Sequence, residues 1–113
     1  MIKDVINDFR VKQGCAPAED GSCQDHENCK WHCLYMARNY SLAHATDHLR
    51  PGKAEIVAGC DFLRNMQETE NFLIWQVIAN SPGHRSILLG SRYLAHYLLI
   101  DRYRAYLTIR GWS

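Results

Sequence analysis

Apolar residues near the start of the chain recur with the spacing of an amphipathic helix. Ile2, Val5, Ile6 and Phe9 stand at positions i, i+3, i+4 and i+7, so they would share one face of an α-helix. Gly14 follows them and is predicted to end the helix. The chain therefore opens with a helix that buries one face.

A second helix is predicted over residues 25–39, whose apolar positions give a broad buried face. Asp25 suits the N-cap of this helix because its carboxylate can accept a backbone N–H of the first turn. Between the two helices, the sequence CAPAEDGSCQD is rich in small and turn-forming residues. Beyond the second helix, Arg50, Pro51 and Gly52 mark a turn.

The middle of the chain alternates short apolar runs with turn signals. Residues 55–59, EIVAG, form a short run with β-branched residues that favours a strand. A helical stretch is predicted over residues 61–70, capped by its first residue, and the apolar run 72–79 is predicted to be a buried helix. Pro82 suits the first turn of a short helix that ends near Gly90.

The last quarter of the chain has the pattern of strands. YLAHYLLI and YRAYLTIR are rich in aromatic, β-branched and aliphatic residues, and the polar pair DR separates them. This predicts an antiparallel hairpin. Because helices come first and paired strands last, the predicted class is α+β, with helices packed on a small antiparallel sheet. The length of 113 residues and the lack of a linker predict a single domain over residues 1–113.

Composition and charge narrow the classes of function. The chain is 47% apolar and 22% charged, as in ordinary globular proteins. A formal net charge of +1 gives no electrostatic basis for binding nucleic acid or an anionic membrane, and no apolar run approaches the ~18 residues of a membrane span. The charged opening MIKDVINDFR is unlike a signal peptide. Two expectations stay open: the protein remains in the cytoplasm, or a leader precedes this numbering.

Five cysteines are many for this length, and an odd number cannot all pair within one chain. Helical spacing would place Cys29 and Cys33 on one face with His26. Together with Cys23 and His32 this set could hold zinc, although it lacks the paired CxxC spacing of zinc sites. The pattern favours disulfide bonds or buried free thiols over a metal site.

Three histidines and one glutamate stand at or near turns, namely His44, His48, Glu55 and His84. Two neutral imidazoles and a carboxylate suit zinc or another divalent cation, and they equally suit a general base with its orienting partners. Because these residues are far apart in sequence, their spacing alone favours ordinary histidines that are exposed or bonded to backbone. No nucleophile elbow, phosphate loop or dinucleotide fingerprint accompanies them.

Four segments precede the hairpin in a fixed order: INDFRVKQGCAP, CLYMARNYSLAH, EIVAG and NSPGHRSILL. Together they resemble the CAP superfamily (the SCP/PR-1-like domain), especially its compact bacterial members. In this alignment His44 follows the second family helix, Glu55 takes the glutamate position, and His84 is the histidine of the signature segment. His48 has no counterpart in the family pattern.

The resemblance implies an α-β-α sandwich with a central cleft lined by His44, Glu55 and His84. In some members the two histidines bind zinc or another divalent cation, so His44 and His84 are the expected metal ligands. Glu55, Ser81 and Arg85 are the expected ligand contacts. The family is usually exported, which implies an extracellular location.

The function expected from this resemblance is a binding domain for a small or extended ligand, whether a small molecule, a peptide or a glycan. Glu55 would complete the metal shell or orient a histidine. One alternative is a metal-dependent hydrolase in which the ion activates water and Glu55 acts as base. Another is an interaction protein with a vestigial site, because the family's Gly-Glu-Asn is replaced here by Lys53-Ala54-Glu55-Ile56, which lacks the flanking glycine and asparagine.

Overall fold

A computed structural model of the chain describes residues 1–46 and 52–113. The predictions for His48, Arg50 and Pro51 lie outside this described part. Within it, the elements in chain order are α1 (Ile2–Lys12), β1 (Glu19–Asp20), α2 (Cys23–Asn39), β2 (Ala54–Asp61), α3 (Met66–Asn71), a π-helical segment (Phe72–Ile78), α4 (Pro82–Gly90), β3 (Tyr93–Asp101) and β4 (Arg104–Trp112).

The strands form one sheet in the order β1-β3-β4-β2. β3 and β4 are the predicted hairpin, and β2 pairs with β4 antiparallel over its whole length. The two-residue strand β1 runs parallel to β3, so the sheet is mixed rather than wholly antiparallel. In the β2–β4 ladder Glu55 stands opposite Arg110, and this register places the two charges side by side.

Helices cover both faces of the sheet. On one face α1, α4 and the π-helical segment enclose a core with alternate residues of the strands, including Ile56, Leu107 and Ile109. On the other face α2 packs through Cys33 and Met36 against Tyr106. Because successive side chains of a strand point to opposite faces, Glu55 and Arg110 lie on the α2 face. The chain thus has the predicted α+β sandwich.

Helix α2 begins two residues earlier than predicted. Ser22 is its N-cap, and Ser22 and Asp25 form a reciprocal capping box in which each side chain accepts the other residue's backbone N–H. Asp25 is therefore the N3 residue, and the prediction that it caps the helix was wrong. A Ser-x-x-Asp spacing carries this signal, since acidic side chains at N3 reach back to the N-cap.

The predicted helix over residues 61–70 is shorter than expected. Asp61 ends strand β2, and Asn65 caps α3 by accepting the backbone N–H of Glu68 at 2.8 Å. The apolar run after α3 is helical as predicted, with π-type bonds such as Ala79 N–H to the carbonyl of Ile74 at 3.0 Å. None of the helices in the described ranges is both long and apolar enough to cross a bilayer.

Candidate binding cleft

A cleft of about 400 Å³ opens between helix α2 and the segment that follows it, with strand β4 beneath. This volume falls within the range of small-molecule sites. Most of its surface is apolar, and a few polar groups converge on it. The lining residues are Asn28, Trp31, His32, Tyr35, His44, Ala45, Thr46 and Arg110.

The floor of the cleft contains a buried ion pair between adjacent strands. Arg110 Nε donates to Glu55 Oε2 at 3.0 Å, and the two side chains are 3% and 0% exposed. Charges removed from water are tolerated only when they are paired and hydrogen-bonded. The β2–β4 register therefore supplies a fixed carboxylate at the base of the cleft.

His44 is held above this carboxylate. Its Nδ1 lies 2.9 Å from Glu55 Oε1, which also accepts the backbone N–H of Ala45 at 2.9 Å. Because a carboxylate only accepts hydrogen bonds, Nδ1 carries a proton, and in the neutral form of the ring Nε2 keeps its lone pair. The His44 side chain is 51% exposed, so the cleft presents a basic nitrogen whose orientation Glu55 fixes.

Aromatic side chains of α2 form the wall of the cleft. Trp31 and Tyr35 are 60% and 56% exposed, and they lie four residues apart on one side of the helix. The ring of His32 stacks on Tyr35 with centroids 5.9 Å apart, and its Nε2 lies 2.5 Å from the carbonyl oxygen of Ala43. His32 thereby ties the helix to the segment that carries His44.

The resemblance predicted that three residues line the cleft, namely His44, Glu55 and His84, and the structure brings two of them together. His44 and Glu55 are in direct contact, whereas His84 lies in α4, which packs on the opposite face of the sheet. Ser81 is the N-cap of α4. The Arg85 guanidinium bonds Gln13 Oε1 at 2.6 Å. Both therefore lie with His84 and not with the His44–Glu55 pair.

The sequence alone does not identify three of the cleft residues, Arg110, Trp31 and Tyr35. Pairing the predicted strand 55–59 against the hairpin would have exposed Arg110 as a cross-strand partner for Glu55, since opposite charges favour facing positions. The spacing of the two aromatic residues is equally typical of the buried face of a helix. Only the structure shows that the sheet packs on the other side of α2 and leaves them exposed.

All five cysteines are free thiols in the structure, and Cys29 and Cys33 are buried. Burial raises the pKa of Cys29 to about 12 and that of Cys33 to about 11. Cys33 Sγ lies 3.2 Å from the hydroxyl oxygen of Thr108. These two thiols behave as core residues, in agreement with the buried-thiol alternative.

Comparison with known proteins identifies solved structures with a similar fold. No family model and no curated protein sequence matches this chain, but solved structures do. An outer surface protein of Borrelia burgdorferi has a TM-score of 0.71 at 16% identity, over 98% of this chain and 89% of its own. An extracellular SCP-domain protein of Bacillus anthracis has a TM-score of 0.67 at 16% identity, over 99% and 39%. NaASP2, solved with Zn²⁺, has a TM-score of 0.63 at 11% identity, over 97% and 76%.

At these identities the comparisons establish a shared fold and nothing about ligands. The resemblance to the CAP superfamily, predicted from four short segments, is confirmed at the level of the fold. The chain spans 39% of the B. anthracis protein, so that protein is considerably longer than this CAP-fold domain.

Proposed function

We propose that this CAP-fold chain is a binding domain whose ligand occupies the cleft between Trp31, Tyr35 and His44. The observation that carries the proposal is the His44–Glu55–Arg110 arrangement at the base of an open, mostly apolar cleft. An oriented polar group beside apolar walls is the usual composition of a small-molecule site. A chain that needed only a stable core would gain little from a buried ion pair at this position.

The cleft favours a ligand that combines a flat or apolar portion with a hydrogen-bond donor. The exposed rings of Trp31 and Tyr35 offer apolar faces on which a sugar ring or an apolar side chain would pack. His44 Nε2 accepts a hydrogen bond from a hydroxyl or amide group. Oligosaccharides and short peptides carry both features, so a glycan or peptide is the proposed ligand class. An extracellular location belongs to the same proposal and is supported by the extracellular SCP-domain neighbour.

The two-histidine zinc site that the resemblance implied stays a prediction. Helix α4 carries His84 and packs through Leu88 on the face of the sheet opposite α2, while His44 bonds Glu55 on the α2 face. No binding step at the cleft is therefore assigned to a metal held by these two histidines.

Ligand-observed NMR with a panel of oligosaccharides and short peptides tests the proposal. Trp31→Ala removes the aromatic wall and His44→Ala removes the polar acceptor. Each variant should therefore raise the dissociation constant of a ligand that the wild type binds by about 10-fold. His84→Ala is the matched control, because it deletes an imidazole on the other face of the sheet, and it should leave binding unchanged. Binding that is lost in His84→Ala and kept in both cleft variants would contradict the proposal.

A second candidate function, hydrolysis, rests on one specific observation. Glu55 holds Nδ1–H of His44 and leaves Nε2 as a base, which is the arrangement of a histidine that activates water or a hydroxyl group. A peptide or glycan that the wild type cleaves and His44→Ala leaves intact would favour this alternative. Binding without turnover would favour the binding domain.

A further inference from the structure

Three side chains with metal-binding atoms meet at an edge of the sheet. Asp20, His26 and His96 each offer one ligand atom, and these atoms all lie within 4.8 Å of one another. Across residues 1–46 and 52–113, no other group of three His, Cys, Asp or Glu residues meets this criterion. The cluster includes His26 of the predicted cysteine–histidine set but none of its cysteines.

The end of the short strand β1 creates this cluster. Asp20 is the last residue of β1, and the next residue, Gly21, donates its backbone N–H to the carbonyl of Leu94 at 2.9 Å. Beyond this point β3 has no strand of the described chain on that side. His26, in the first turns of α2, covers the exposed edge, and its Nδ1 lies 3.2 Å from both the backbone N and the backbone O of His96.

The ring of His96 is buried with an unused nitrogen. Among the described residues its Nε2 has no hydrogen-bond partner, although the atom is inaccessible to solvent. Its ring packs edge-on against His26 with centroids 4.7 Å apart. A buried polar nitrogen without a partner is uncommon in native structures, which points to a bound species.

A small cavity lies beside two of the three residues. It has a volume of about 10 Å³ and is lined by Asp20 and His96, together with Lys3, but not by His26. That is close to the space needed by one ordered water or one ion, and far below the volume of a small-molecule site. The cavity therefore has room for a monatomic species or a single water.

We propose that Asp20, His26 and His96 bind one divalent cation of the zinc type. Two imidazoles and a carboxylate are a preferred zinc ligand set that leaves one coordination position for water. Zinc–nitrogen bonds of about 2.0–2.1 Å bring ligand atoms closer together than the 4.8 Å that bounds their separations here. The exposed side chain of Asp20 can rotate to close that gap.

The hydrogen bonds of His26 are compatible with metal binding. With its proton on Nε2, the ring accepts the N–H of His96; with its proton on Nδ1, it donates to the carbonyl oxygen of His96. The second form leaves Nε2 free, and a backbone carbonyl is a common partner for the other nitrogen of a metal-bound histidine. Metal binding selects this form.

The ammonium group of Lys3 would compete with a metal ion for the carboxylate of Asp20. Its Nζ lies 2.6 Å from Asp20 Oδ2, and both side chains are about half exposed. A divalent ion must displace this ammonium group from Asp20. Replacing Lys3 by Met is therefore expected to increase the affinity for zinc by several-fold, because the carboxylate is then unpaired before the ion arrives.

Zinc titration of the whole metal-free chain by isothermal calorimetry tests the proposal, with cobalt absorption as a second readout of ligand geometry. The wild type should bind one ion per chain. His26→Gln, His96→Gln and Asp20→Asn should each weaken binding by at least ~10-fold. Thermal unfolding of each variant without metal checks its fold, and Asp20→Asn keeps the proposal testable if a histidine variant fails to fold.

His84→Gln is the matched control and should bind zinc as the wild type does. A wild type that binds no zinc, or one whose affinity is unchanged by His26→Gln and Asp20→Asn, would overturn the proposal, and water would then be the occupant of the cavity. Loss of zinc in His44→Gln with retention in His26→Gln would also overturn it, and would move the metal to the cleft. Failure of the cluster leaves ligand binding at the cleft unaffected, so the two proposals fail separately.

Discussion

Glu55 is the residue on which the cleft depends. Its carboxylate accepts hydrogen bonds from the His44 ring, the backbone N–H of Ala45 and the guanidinium group of Arg110. It therefore connects the segment after α2 to strand β4. A carboxylate with this many partners both orients His44 and neutralises a buried cation.

Replacing Glu55 by Gln should lower the free energy of unfolding by roughly 3–5 kcal/mol, because it removes one charge of a buried ion pair. Urea denaturation measures this change. Glu19→Gln is the matched control, since Glu19 pairs with Arg92 at 2.6 Å on the surface, where the side chains are 55% and 66% exposed. Its loss should stay below ~1 kcal/mol. Equal losses in the two variants would show that the Glu55 pair is not buried.

The buried thiols give a second prediction at this scale. Cys29 and Cys33 should resist alkylation in the folded protein at mildly alkaline pH, because reaction requires an accessible thiolate. Exposed Cys23 is the internal control and should react as a free thiol does. Mass spectrometry after timed labelling gives the modified positions. Modification of Cys29 as fast as Cys23 in the native protein would contradict the structure.

The same thiols make the protein sensitive to alkali. The pKa values of Cys29 and Cys33, about 12 and about 11, lie above the ordinary thiol value of 9.0. As the pH rises above about 9, the unfolded chain loses these protons before the folded chain does, so the free energy of unfolding falls. Urea midpoints measured upward from pH 9 should decline less steeply in Cys29→Ala than in the wild type. Parallel declines would argue against burial as the cause.

At the level of single residues, the sequence predicted only some of the residues of the candidate sites. His44 and Glu55 were singled out by their places in segments that resemble the CAP superfamily, and they are only 11 residues apart in the chain. Arg110 could be recognised only from the pairing of β2 with β4. Asp20 and His96 give no signal in sequence, since an ordinary strand residue becomes a ligand only where β1 stops.

Among the elements, the first helix, α4 and the hairpin were predicted correctly because each depends on local patterns, whereas the starts of α2 and α3 were not. Helix α4 begins at Pro82 and ends at Gly90 as predicted. The hairpin turn falls at Arg102 and Tyr103, whose φ angles are 50° and 65°. Such turns match the twist of the strands but usually recruit Asn and Gly. The turn lies one residue further along the chain than the predicted polar pair Asp101–Arg102, and no Asn or Gly marks this position in the sequence.

Strand β4 depends on a close approach at Gly111. A Cβ atom there would overlap the side-chain oxygen of Ser91 and lie 2.8 Å from the Ser91 Cβ. Gly111→Ala should therefore lower the free energy of unfolding by about 1–3 kcal/mol, as other overpacking substitutions do. Gly90→Ala is the control, since a Cβ at that position meets nothing within 4 Å. Thermal unfolding should show a loss for Gly111→Ala alone, and similar melting temperatures would contradict the packing described.

For the molecule as a whole, the sheet divides the chain into two packed layers. His44 bonds Glu55 on the α2 face, and α4, the helix that carries His84, packs with α1 on the other face. Side chains that alternate along strands define these faces, but the sequence does not say which helix covers which face. The family resemblance therefore predicted the fold correctly, and of the cleft residues that it implied, His44 and Glu55 are in contact.

In the proposed cleft, Glu55 holds Nδ1 of His44 and leaves Nε2 to face a ligand. Long-range ¹⁵N–¹H correlation spectra of the histidine rings, recorded at mildly alkaline pH, report which nitrogen carries the proton. The structure predicts that His44 is the Nδ1–H form in the wild type and loses this preference in Glu55→Gln, while His84 is unaffected. An Nε2–H form for His44, unchanged by Glu55→Gln, would contradict the proposed cleft.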